Sequence, residues 1–214
     1  MQQIFRALAF SLTVFAAFAF AQNSTAPAKK TNARPPAKAA AKEPFDGATV
    51  EAMKAQCVRF ETEKGQIEIE LYPESAPESV RNFLNLVAIG AMETTTFSRV
   101  VPGFVIQGGD VETRTQIKPA LALRGRRIIP DEPNKIRHER GVVSMARADE
   151  PNTTSSHFFI LVRDAFALDG KYAAFGRVTS GMEAVDAINR APVQNEVPNA
   201  PVRITRAVVF ACNK

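Results

Sequence analysis

Strand-length apolar runs broken by glycine and proline recur along residues 58–211, and only two stretches carry a helical period. Val58-Arg-Phe-Glu-Thr, a Lys64-Gly65 turn and Gln66-Ile-Glu-Ile-Glu-Leu71 alternate apolar and polar side chains, the pattern of a hairpin with one buried face. Further strands are expected at Thr96–Val100, Phe104–Gln107, Gly141–Ala146, His157–Val162, Ala173–Val178 and Val202–Ala211. Pro77–Ala88 reads as a helix, with proline in its first turn and Val80, Phe83, Leu84 and Val87 on one face. Gly181–Asn189 reads as a second, with Met182, Val185 and Ile188 on one side and Thr179 or Ser180 as its cap. Residues 111–140 are polar, basic and interrupted by Pro119, Pro130 and Pro133, so a long surface loop with at most one short strand is expected. About eight short strands and two helices imply a mainly β fold: a closed eight-stranded antiparallel barrel, or a nearly closed one, with helices covering its ends.

The folded part begins well inside the chain. Residues 1–21 have the form of an export signal: Arg6, an apolar run from Ala7, and Ala19-Phe20-Ala21 as a cleavage site. The run is short for a membrane anchor and has no basic residues directly behind it, so no stable membrane insertion is expected after cleavage. Residues 22–48 are rich in Ala, Pro and Lys and read as a flexible linker, leaving 49–214 as the domain. The leader carries +1 and the linker +3 of the formal +5, which leaves +1 for the domain. A domain so nearly neutral offers no general cationic surface for nucleic acid.

Two cysteines, Cys57 and Cys212, stand at the outer ends of the first and last expected strands. In an oxidising compartment such a pair invites a disulfide, yet Cys57 shares the strand face of Arg59 and Glu61, and two free thiols also fit. The two histidines, His138 and His157, lie in different segments without zinc-ligand spacing, and no strand-turn-helix nucleophile elbow is visible. Gly108-Gly109-Asp110 lacks the Lys-Ser or Lys-Thr of a phosphate loop and reads as a tight bend. No metal or cofactor is expected.

The chemistry is concentrated in Phe97-Ser-Arg99-Val-Val-Pro-Gly-Phe104-Val-Ile-Gln107-Gly-Gly-Asp110, where one arginine sits inside an apolar run. A cation in such surroundings is kept for a partner or a ligand. This stretch resembles the signature of the cyclophilin-type peptidyl-prolyl isomerases. So do Gly141-Val-Val-Ser-Met-Ala146, Ser156-His-Phe158-Phe159-Ile160 and Leu168-Asp-Gly-Lys-Tyr172-Ala-Ala-Phe175-Gly-Arg-Val178. These four motifs run in order from Phe97 to Val178, and the N-terminal hairpin and the Pro77 helix match the family's usual opening, so the resemblance covers about Val58 to Phe210.

The resemblance implies a barrel capped by two helices and an enzyme that turns X-Pro peptide bonds. It assigns Arg99 to the prolyl nitrogen and Gln107 to the substrate backbone or to holding Arg99. Phe104, Val105, Phe159 and Leu168 would surround the proline ring, with Tyr172 at the pocket edge, the Arg147 backbone gripping the substrate, and Ala146, His157 and Ala167 alongside. Four positions depart from the family's usual residues: Ser98 replaces histidine, Arg147 asparagine, His157 glutamine and Ala167 a large ring. The expected partners are proline-containing peptides or unfolded exported proteins met by a monomer, in a periplasm or outside the cell. A non-catalytic peptide-binding or chaperone-like module using the same groove, or a tethered scaffold, are the competing readings.

Overall fold

The computed structural model describes residues 42–212; the proposed leader and most of the linker lie outside the described residues. A short helix α1 (Val50–Lys54), capped by Thr49, leads into strands β1 (Gln56–Thr62) and β2 (Gly65–Leu71), followed by helix α2 (Pro77–Ala88). Then come β3 (Arg99–Val101), β4 (Val105–Gly108), a short helix α3 (Pro119–Gly125), β5 (Val142–Met145), β6 (Phe158–Leu161) and β7 (Ala174–Ser180). Helix α4 (Met182–Asn189), a miniature hairpin β8 (Val193–Gln194) and β9 (Val197–Pro198), and β10 (Ile204–Ala211) complete the order.

Eight strands form one antiparallel sheet in the order β10-β1-β2-β7-β5-β6-β4-β3. The sheet curls but does not close, which corrects the expected closed barrel. No ladder joins its edges, β10 and β3: the segment before β3 meets the start of β10 at the isolated bridge Thr96–Arg203 and through backbone bonds of Thr94, Thr95 and Phe97 to Ile204 and Val202. The reason is visible in β3. Its Val100 N–H donates to the Glu196 carbonyl at 2.8 Å, so the β8–β9 hairpin occupies the edge that β10 would need.

The interior of the curl is apolar. Phe60, Phe83, Phe97, Phe158 and Phe175 are all essentially inaccessible, and neighbouring ring centroids lie 4.9–6.3 Å apart. Helix α2 closes one end by burying Val80, Phe83, Leu84 and Val87, the face its period foretold. Its first N–H groups are capped from a distance: Glu132 accepts from Glu78 N (3.0 Å) and Ser79 N (2.7 Å), a carboxylate at a positive helix terminus. The opposite helix starts differently from the sequence expectation. Gly181, not a Thr179 or Ser180 side chain, is the N-cap of α4, at φ 91°. A Cβ at Gly181 would lie 1.9 Å from the Gln66 carbonyl oxygen, so only glycine lets α4 approach β2 this closely.

One other expectation changes. The segment 111–140 holds no strand; it contains a 3₁₀ turn at Val111–Thr113 and α3, which Pro119 starts at its first position. Residues 43–48, the last of the segment read as a linker, are held against α2 and α3. Arg124 of α3 grips Glu43 through two nitrogens, Phe45 N donates to Asn85 Oδ1 at 2.7 Å, and Arg81 donates to the Phe45 and Ala48 carbonyls. Cys57 and Cys212 are bonded, with Cα atoms 5.1 Å apart. Cys57 pairs with Phe210 across β1–β10, so a residue two beyond Phe210 lies diagonally on the same outer face. Parity had placed Cys57 on the face of Arg59 and Glu61, and the bond shows that Cys212 reaches that same face.

Candidate active site

Register, more than chain proximity, assembles the site. Arg99 on β3 lies opposite Gln107 on β4, Gln107 opposite Phe159 on β6, and Phe159 opposite Ser144 on β5. Directly paired residues share a face, so these four side chains form a row across the outside of the sheet. Their neighbours along each strand, Val100, Ile106, Phe158, Ile160 and Val143, point inward to the core. The outer row has its own small apolar cluster, with Val105, Phe159 and Leu161 buried and Phe104, Ala146, Leu168 and Tyr172 half-buried against them.

These groups border a concave pocket of about 170 Å³ lined by Arg99, Phe104, Val105 and Gln107 from β3, β4 and their turn, with Phe159 from β6. Ala146 and Arg147 follow β5, and Leu168 and Tyr172 come from the segment before β7. The Tyr172 ring meets Phe159 edge-on at 5.6 Å. The Arg147 guanidinium lies 5.2 Å from the Tyr172 ring, and that of Arg163 lies 5.3 Å from Phe104. The pocket holds one small ring or side chain, well below the roughly 300–1,000 Å³ of sites for larger ligands.

Two expected residues sit elsewhere. His157 lines an adjoining cavity of about 290 Å³ that shares Gln107, Ala146 and Arg147 with the first. Ala167 is exposed and lines neither cavity.

Arg99 and Arg147 are the pocket's two cations, and Arg99 is held by two acceptors. Its Nη1 donates to Gln107 Oε1 at 3.1 Å and its Nε to Glu196 Oε2 at 2.7 Å. The β3–β4 turn that presents Phe104 is fixed by Asn189, the last residue of α4. Asn189 accepts from Gly103 N at 2.8 Å and donates to the Val101 and Val105 carbonyls at 2.9 and 3.0 Å. At the far end of β4, Gly109 (φ 90°) passes so close to β6 that a Cβ would lie 2.2 Å from the Ser156 carbonyl. The expected tight bend therefore also serves to bring β4 against β6.

Behind Phe159 runs a chain that the sequence did not reveal. Ser144 Oγ and His138 Nε2 are 3.0 Å apart, and His138 Nδ1 and Asp169 Oδ1 are also 3.0 Å apart. The order Ser-His-Asp matches that of a nucleophilic triad, yet Ser144 and His138 are wholly buried. A serine with no access to solvent cannot attack a substrate, so the chain is a strut. It ties the turn bearing Leu168 to β5. The His138 backbone N–H, donating to Asp169 at 2.8 Å, is the main cause holding that carboxyl below its usual range.

Sequence reasoning missed Glu196, Asn189 and the strut because their partners are distant in the chain; only Asn195, a turn-forming residue beside Glu196, gave a local signal.

Comparison with known proteins agrees with this geometry. Residues 57–209 match the family model described as cyclophilin type peptidyl-prolyl cis-trans isomerase. A peptidyl-prolyl cis-trans isomerase of Acinetobacter baylyi is 37% identical over 76% of this chain and 89% of its own length. Peptidyl-prolyl cis-trans isomerase A of Dickeya dadantii is 36% identical over 72% and 84% respectively. A cyclophilin type isomerase of Cryptosporidium parvum, crystallised in the presence of the dipeptide Ala-Pro, superposes with a TM-score of 0.64 at 30% identity, covering 73% of this chain and 99% of that one. Match to the family model over most of the domain, relatives above 30% identity and the shared curled sheet lead to one conclusion: the chain belongs to the cyclophilin-type peptidyl-prolyl cis-trans isomerases.

Proposed function

We propose that this isomerase acts on X-Pro bonds of exported proteins, as a monomer outside the cytoplasm, through the pocket around Arg99. An X-Pro amide keeps partial double-bond character, and turning it costs about 20 kcal/mol. Rotation takes the prolyl nitrogen out of conjugation and makes it a better hydrogen-bond acceptor. A guanidinium directed at that nitrogen binds the twisted amide more strongly than either planar isomer. The barrier falls through differential binding, with no covalent intermediate and no proton to pass on.

The single observation that carries the reading is a guanidinium held by Gln107 beside an apolar pocket floored by Phe104 and Phe159. The apolar groups seat the proline ring, and Gln107 has donors left for a substrate carbonyl after its oxygen has accepted from Arg99. The crystallisation of a related isomerase with Ala-Pro supports proline peptides as ligands here. Ser98 stands where the family commonly has histidine, and exposed Ala167 where it commonly has a large ring; the small side chain at 167 offers less apolar surface to residues flanking the proline.

The export reading rests on the Arg6 to Ala21 pattern and on the cysteine pair, which suits an oxidising compartment. Chain recovered from the extracytoplasmic fraction is expected to begin at Gln22 and to accelerate isomerisation of a short X-Pro peptide. Full-length chain found only in the cytoplasm would refute the export half; a processed chain that binds the peptide without accelerating it would favour a peptide-binding module.

A further inference from the structure

The β8–β9 hairpin reaches the site with its turn residue Glu196. Gln194 pairs with Val197, and the two residues between them, Asn195 and Glu196, have φ of 51° and 65°. Two successive left-handed residues make the turn that suits a two-residue hairpin, where asparagine is favoured first and glycine second. Glutamate in the second position is disfavoured, because its Cβ crowds the backbone. A residue kept in an unfavourable conformation calls for a reason outside the turn.

The reason lies in what Glu196 holds. Its carbonyl accepts from Val100 N at 2.8 Å, and its Oε2 accepts from Arg99 Nε at 2.7 Å. One residue thus fastens β3 by its backbone and the adjacent guanidinium by its side chain. Arg99 needs this support, since its side chain is 44% exposed and free to change rotamer. Gln107 alone, bonded at Nη1, leaves the guanidinium free to swing about that contact. A second bond at Nε fixes its plane. Nη2 has no partner among the described residues and stays available to a ligand.

We propose that Glu196 is a positioning residue for prolyl isomerisation, holding the Arg99 guanidinium in the plane from which it meets the twisted amide. The proposal rests on the role given to Arg99 above. Its effect comes through orientation: donors already in place need no reorganisation when the amide twists. Neutralisation of Arg99 is the smaller consequence, because an exposed ion pair is well screened by water.

Glu196→Gly gives the turn the residue its φ favours while removing the carboxylate, so a defect in folding and a defect in positioning separate. For Glu196→Gly, kcat on a neutral X-Pro peptide is expected to fall about tenfold, with KM within about twofold and a melting temperature no lower than wild type. Glu196→Gln keeps an acceptor oxygen and is expected to stay within about twofold of wild type. Combined with Arg99→Ala, Glu196→Gly is expected to change nothing further. Apart from turnover, nitrogen-15 spectra are expected to show a protected Arg99 Nε–H in the wild type that is lost in Glu196→Gly.

Wild-type kcat in the glycine variant, an equal loss in the Arg99→Ala background, or an unprotected Nε–H in the wild type would each overturn the proposal. A wild-type protein that accelerates no X-Pro peptide would instead overturn the isomerase reading, and the positioning role with it, while a protected Nε–H would still show the ion pair itself.

Discussion

Replacing Arg99 with alanine is expected to lower kcat/KM for an X-Pro peptide by about 10²-fold while leaving the fold intact. The magnitude follows from what removal of one preorganised donor to a developing charge costs elsewhere, about 10²–10³ in rate. The lower end suits a group that is 44% exposed before substrate arrives. At 1.36 kcal/mol per factor of ten this is about 2.7 kcal/mol of preference for the twisted amide. Stability is expected to change little, because the bonds lost are those to Gln107 and Glu196 at the surface. Arg99→Lys is expected to recover only part of the loss, since an ammonium cannot keep two planar side contacts and still present a donor to the amide. An isomerisation assay with unchanged kcat/KM in Arg99→Ala would remove this residue from the mechanism.

The largest effect on stability is expected at the other end of the sheet. Cys57 and Cys212 are 155 residues apart in sequence, so their bond closes nearly the whole domain into one loop. Loop-closure entropy for so long a loop amounts to about 5 kcal/mol in the unfolded chain, and measured losses for native disulfides run about 2–5 kcal/mol. The folded sheet itself needs no bond to keep β10 paired with β1 from Gln56–Ala211 to Thr62–Ile204, so the loss falls on the unfolded chain, which gains the freedom the bond removed. Cys57→Ser with Cys212→Ser is therefore expected to cost about 3–5 kcal/mol in denaturant unfolding, a drop in melting temperature of roughly 6–20 °C. Activity of the folded variant is expected to match wild type, since β10 and β1 lie at one edge of the sheet and the pocket is built on β5, β6, β4 and β3. Unchanged stability would show that strand pairing alone secures the terminus.

How much of this was legible in the chain depends on the range of the interaction. The β1–β2 hairpin and α2 were readable because period-two and period-3.6 patterns are local consequences of which side faces the core. The pocket residues were named through the family resemblance, and alternation explains only part of their placement: Arg99, Gln107 and Phe159 lie on strands that put them outside while Val100, Ile106 and Phe158 go in, whereas Phe104 sits on the β3–β4 turn. Closure of the barrel was not readable. It depends on whether β10 or the hairpin at 193–198 takes the edge of β3, and two strands of two residues each leave no periodic trace. Helix α3 was missed because Ala-Leu-Ala-Leu alternates like a strand, although Pro119 starts it as a helix. The strut from Ser144 through His138 to Asp169 joins residues 6 and 31 apart, and no spacing rule connects them.

The central claim is that this pocket binds a twisted prolyl amide better than a planar one, and that Arg99 supplies the difference. The most direct test compares the affinity of a non-hydrolysable twisted-amide mimic with that of the matching planar X-Pro peptide, in wild type and in Arg99→Ala. Wild type is expected to favour the mimic by at least about tenfold, while Arg99→Ala binds the planar peptide nearly as well and loses the preference. A wild-type protein that binds both ligands equally, or an Arg99→Ala variant that keeps the full preference, would contradict the account.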